Sequence, residues 1–293
     1  MGEERRVRRR VVAGYALFVV AATMAFVALW FPYDRLQAVL LAELSRQTHA
    51  RLTVESGGFV FPAGVGWRGL RIHPLDGPPG EVVIDVLGVR VALLPLIWHV
   101  IDADVTWEAY GGRARGSWVL RRDANGTRSE VDQIGQGFDL SRLPMMPAGN
   151  WRGVIRVDLN GQWTNQAWWT GDGSGSIEVA DLQADGLSVG GFPVNGIVFD
   201  TVSGQVRLKG GTLTLQRLAA RGALGAVSGS GTVLIRMPWT ESVVNLALAL
   251  SPAPGASAKA PWLALAGTGS PIAVQITGRA AKPDITLNGL RLP

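Results

Sequence analysis

The chain has 293 residues, of which 47% are hydrophobic and 17% charged, and it contains no cysteine. That length accommodates an anchor plus one or two domains with cores, and the missing cysteines exclude disulfide scaffolds and thiolate metal sites. The net charge is +5, but residues 1–10 hold five arginines against two glutamates, which leaves only +2 on everything after them. No basic face for nucleic acid remains beyond that tail.

The five arginines are Arg5, Arg6, Arg8, Arg9 and Arg10, and they form a basic tail over 1–10. Directly after them, 11–31 reads VVAGYALFVVAATMAFVALWF without a charge. At ~1.5 Å per residue such a helix spans the ~30 Å hydrocarbon core of a bilayer. Trp30, Phe31 and Tyr33 supply interfacial aromatics at its far end. The positive-inside rule then predicts a single-pass protein of the bacterial inner membrane, its N-terminus cytoplasmic and the bulk of the chain periplasmic. Lysine occurs only at Lys209, Lys259 and Lys282, and this Arg-, Gly- and Ala-heavy usage points to a GC-rich bacterial source. A cleaved signal peptide is the competing reading, with Thr23-Met24-Ala25 as its weak cleavage site. The apolar run continues past Ala25, longer than a signal core of about 7–15 residues.

Residues 32–50 predict an amphipathic helix. Leu36, Val39, Leu40 and Leu44 follow helical spacing, and Asp34 with Gln37 resembles a capping box. These four apolar residues are expected to pack on the first strands.

From 51 to 293 the period switches to two, and Gly, Pro, Asn and Asp punctuate some thirteen short strands. Gly111-Gly112, Asn125-Gly126 and Gly210-Gly211 mark tight turns. Val244, Leu246, Leu248 and Leu250 share one face of a strand, with Asn245, Ala247 and Ala249 opposite. Ile272, Val274 and Ile276 repeat the pattern against Ala273, Gln275 and Thr277. One apolar and one polar face per strand predicts an antiparallel sheet covered on one side. Residues 123–150 are polar, with Val131, Ile134 and Phe138 suggesting a short helix. Residues 251–261 read as an exposed loop of low order.

Chemistry-bearing motifs are sparse. His49, His73 and His99 lie far apart with no partner at ligand spacing, so no metal is expected. The pieces GDGSGS and SGSGT lack a strand-to-helix setting and read as turns. Glu178 and Asp181 are near one another without a nucleophile or base, and the chain is expected to be no enzyme and to hold no cofactor. Trp163, Trp168 and Trp169 crowd one stretch, but their neighbours are Asn, Gln and Thr, so sheet packing or contact with a membrane surface fits better than nucleic-acid stacking.

Phe31-Pro32-Tyr33, the helix through Leu44, and Gly69-Leu70-Arg71-Ile72 together resemble the opening of the type II secretion system protein N family. VSGSGTVLI and PIAVQITGRAAKPDITL are similar in texture to the wider AsmA-like class of periplasmic β-proteins. The resemblance implies an inner-membrane accessory component of the type II secretion machine, with other envelope proteins as partners. It also implies kinship with proteins whose long curved sheets carry phospholipid or other lipid between membranes. The expected fold is therefore mostly β: a transmembrane helix, an amphipathic helix, then an extended, curved antiparallel sheet. Helical cover is scarce after residue 50, which leaves an open lipid groove lined by Val244, Leu246, Leu248, Leu250, Ile272, Val274 and Ile276 as the alternative to a sealed core.

Overall fold

The computed structural model describes residues 50–291 except 61–62, 75–80, 124–125, 145–148, 166–167, 190–191, 237 and 257–270, together with Gly14, Tyr15, Phe18, Val19, Ala22, Leu41, Ala42 and Ser45. The basic tail and nearly all of the expected transmembrane and amphipathic helices therefore lie outside the described residues. This includes Arg5, Arg6, Arg8, Arg9, Arg10, Leu36, Val39, Leu40 and Leu44. No helix among the described residues is long and apolar enough to cross a membrane.

The rest is an up-and-down succession of strands. The first half comprises β1 (Ala50–Thr53), β2 (Ser56–Val60), β3 (Gly64–Pro74), β4 (Val82–Val91), β5 (Val100–Ala109), β6 (Gly112–Asp123), β7 (Gly126–Asp139), β8 (Asn150–Thr164) and β9 (Asp172–Asp185). A small separate hairpin, β10 (Leu187–Val189) with β11 (Phe192–Val194), interrupts the sheet. It resumes with β12 (Ile197–Lys209), β13 (Thr212–Gly222), β14 (Gly225–Leu234), β15 (Val243–Pro252), β16 (Ile272–Arg279), β17 (Lys282–Leu287) and β18 (Leu290–Arg291). Sixteen strands form one antiparallel sheet in which each pairs with the next, apart from β1 and β2, which share β3 as a broken edge. The sheet is not closed, since β18 ends it without returning to β1.

The turns account for the meander. Tyr110 and Gly111 have φ of 51° and 79°, and Gly210 and Gly211 have 54° and 84°. Two consecutive left-handed residues are what a two-residue hairpin needs to match strand twist. The first turn sits one residue earlier than the Gly-Gly pair predicts. Tyr110 does more than turn the chain. β4 pairs with β5 only from Val86 to Val91, and the Val83 N–H beyond that limit donates to Tyr110 Oη at 2.9 Å. Tyr110→Phe removes the acceptor, and an unmade backbone bond of this kind costs about 1 kcal/mol; a lowered urea midpoint with an unchanged slope is the expected result.

Three expectations are corrected. Residues 126–139 form strand β7, not a helix. The apparent helical spacing of Val131, Ile134 and Phe138 arises because the register shifts between Gln136 and Phe138, where Gly137 takes φ of 80°. That bulge returns Phe138 to the face of Val131, while Ile134 stands on the other. GDGSGS and SGSGT are strand segments in β9 and β14, not turns. A Cβ at Gly175 would lie 2.5 Å from Leu159 Cδ2, and at Gly231 2.6 Å from Leu246 Cδ2. These glycines thus make room for leucines from the adjacent strand to lie flat. Finally, the loop after β15 is not wholly exposed, since Ala256 is buried against Leu224, Leu250 and Ile272.

Candidate functional site

Residues directly opposite one another across antiparallel strands share a face. One cross-strand row runs Val65, Val89, Val105, Gly116, Gln133, Leu159, Gly175, Val206, Leu215, Gly231, Leu246, Ile276, Ile285. It crosses thirteen strands, a path of about 60 Å at ~4.8 Å per strand. Gln133 is its one polar member, and its Oε1 accepts from Trp107 Nε1 at 3.3 Å. The next row toward the Gly69 side of β3 starts at Trp67, Leu87 and Trp107 and ends at Leu248, Val274 and Leu287, with only apolar residues and glycine between. A third, from Val91, Ala103 and Trp118 to Val244, Gly278 and Pro283, is equally free of polar side chains.

The alternate row reads Arg90, Asp104, Ser117, Asp132, Asn160, Ser174, Arg207, Thr214, Thr232, Asn245, Thr277, Asp284, polar from end to end. Period-two geometry thus places these rows on an apolar and a polar face of the sheet. Ion pairs on the polar face, such as Arg113–Glu108 and Arg128–Glu130, are exposed and contribute little to stability.

Cover on the apolar face is uneven. Along the rim that carries the β7–β8, β9–β10 and β13–β14 connections, turn residues fold back over it. Leu140 packs on Ala114, Phe138 and Ile155, and Leu187 on Ala184. Leu224 packs on Leu250 and Ile272. Away from that rim the face opens: Leu159 is 46% and Ile177 40% exposed.

The seven residues expected to line a groove are brought together. Leu246 faces Ile276, Leu248 faces Val274, and Leu250 faces Ile272, while Val244 faces Gly278. Asn245 and Gln275 stand exposed on the other face. Sequence reading did not find the larger central part of the surface, including Leu159, Ile177 and Val206. The available signal was alternation, with glycine counted as apolar. Trp163 lies on the apolar face opposite Ser129, and Trp168 packs edge-on against Trp169 with ring centres 6.1 Å apart.

Other candidate groups are scattered. His73 Nε2 lies 3.5 Å from Glu81 Oε1, and His99 is exposed at a turn with φ of 58°. Glu178 stands on the polar face opposite Arg156, and Asp181 takes φ of 51° beside a register shift. In the Gly69-Leu70-Arg71-Ile72 segment, Gly69 adopts φ of 60°, and Arg71 donates to Glu55 at 3.2 Å and Glu81 at 3.5 Å. The hydrogen bond to Glu55, reinforced by the charge of Glu81, raises the Arg71 pKa and keeps it charged. No protein family, curated protein or solved structure matches the chain.

Proposed function

We propose that this chain is a non-enzymatic protein of the bacterial cell envelope, anchored in the inner membrane, that binds or conducts lipid along the apolar face of its periplasmic sheet. The observation that carries this reading is the set of adjoining cross-strand rows without a charged side chain, half-open to solvent over their central strands. Contiguous apolar surface beyond a few hundred Å² on a folded protein marks an interaction site. A strip several side chains wide and about 60 Å long exceeds that.

A photo-crosslinking residue at position 248, in full chain extracted from membranes, is expected to capture lipid, whereas one at 247 on the polar face captures none. Capture of protein alone, or of nothing, at 248 overturns the reading in favour of a sealed core. The anchor is tested separately. A reporter fused after Pro293 reads out as periplasmic, and recovery of a soluble chain beginning near Phe26 counts against a retained span. Exposure of the helical Tyr15 and Phe18, each 70%, supports a lipid environment for that run.

The second reading is an accessory role in type II secretion, supported by the resemblance over 31–73. It predicts that secretion-system envelope proteins co-purify with the chain and that its deletion retains secreted proteins in the periplasm.

A further inference from the structure

The two rims of the sheet treat apolar turn residues in opposite ways. On the rim described above, Leu140, Leu187 and Leu224 are buried. On the other rim, the β4–β5 connection is a single helical turn, Leu93–Leu96, followed by Ile97 and Trp98. Three of its apolar side chains are exposed: Leu94 is 70%, Ile97 68% and Trp98 70% exposed. Two hairpins along the same rim, Trp168 is 47% exposed at the β8–β9 connection. Between these tips lies the β6–β7 hairpin, with Arg121, Arg122 and Arg128 exposed. Apolar and aromatic tips flanking arginines are unfavourable in water but fit a membrane interface. There, indole rings lie at headgroup level and guanidinium groups meet phosphate.

We infer that this rim docks on a lipid bilayer, with Leu94, Ile97 and Trp98 inserted at the headgroup boundary and Trp168 as a second contact. The inference rests on the anchored reading above, which also fixes the occupant as the bilayer that holds 11–31. Only 18 residues separate Phe31 from Ala50, a helical reach of about 27 Å. β4 is the third strand from the β1 edge, about 10 Å along the sheet, and Ala50, opposite Pro74, lies on the far rim, about 33 Å along β3 from Gly64. A linker that rises about 27 Å from the bilayer to Ala50 lets the strands run back toward the membrane, which brings the tip to that bilayer at high effective concentration, so a weak insertion suffices.

The chain has no cysteine, so single labels are unambiguous. Ile97→Cys, Phe18→Cys and Ala219→Cys, each carrying an environment-sensitive fluorophore, are compared in full-chain proteoliposomes of phosphatidylethanolamine and phosphatidylglycerol containing nitroxide-labelled lipid. Quenching of the labels at 97 and 18, each several-fold above that at 219 on the polar face, is the expected result. A quenched label at 18 with 97 behaving like 219 overturns bilayer docking and leaves the anchor standing. Loss of quenching at both overturns docking and anchor together. A blue-shifted but unquenched label at 97 means that protein covers the tip, and this also overturns docking on lipid.

Discussion

Phe138→Ala destabilises the sheet by about 3–5 kcal/mol, whereas Leu159→Ala costs less than half as much. Both residues lie on the apolar face, one strand apart, but their surroundings differ. Phe138 is 5% exposed, packs on Ala114, Leu140 and Ile155, and holds its ring 5.1 Å from that of Trp107. Truncation there leaves a cavity that the bulge at Gly137 and the turn at Leu140 cannot collapse into. Leu159 is 46% exposed, so nearly half of its surface contributes nothing to burial and no closed void forms. Urea unfolding of the two variants beside the parent measures the contrast. Equal losses would mean that the face is sealed in solution by a partner or a second layer.

The legible part of the fold was whatever depends on period and punctuation. Alternation in β15 and β16 placed Val244 to Leu250 and Ile272 to Ile276 on common faces, and the register pairs them directly. Gly210-Gly211 marked its hairpin correctly. Alternation became unreadable where a bulge changed parity, as at Gly137 in β7. Glycines at apolar positions hid it in another way. In β14, Gly229 and Gly231 occupy places that a hydrophobicity count leaves blank, because the covering atoms belong to Leu248 and Leu246 of the next strand. The continuity of the apolar face is a property of register, which no single strand carries in its own sequence. The outward turn at Leu94 to Trp98 left no mark in the pattern, since periodicity says nothing of which way a connection folds.

Leu246→Glu abolishes recovery of lipid with the full chain, while Asn245→Glu leaves it unchanged. Leu246 lies between Gly231 and Ile276 in a row of the apolar face, and its side chain lies flat over the glycine. A carboxylate at that point puts a charge in the path of any acyl chain, and transfer of an ionised group into an apolar contact is strongly unfavourable. Asn245 lies between Thr232 and Thr277 on the polar face, where a further acid meets water. The two substitutions are adjacent in sequence and introduce the same charge, so any difference reports the face and not the net charge. Stability separates the two accounts of the face. On an open groove the glutamate reaches solvent, and its cost stays near the 0.5–3 kcal/mol usual for a substitution, roughly enough to lower but not abolish folding. Under a second layer the same residue buries an unpaired charge and unfolds the domain. Circular dichroism and mass spectrometry of co-purified lipid, run on both variants, give the comparison. Lipid retained in folded Leu246→Glu would show that the bound molecules lie elsewhere on the protein.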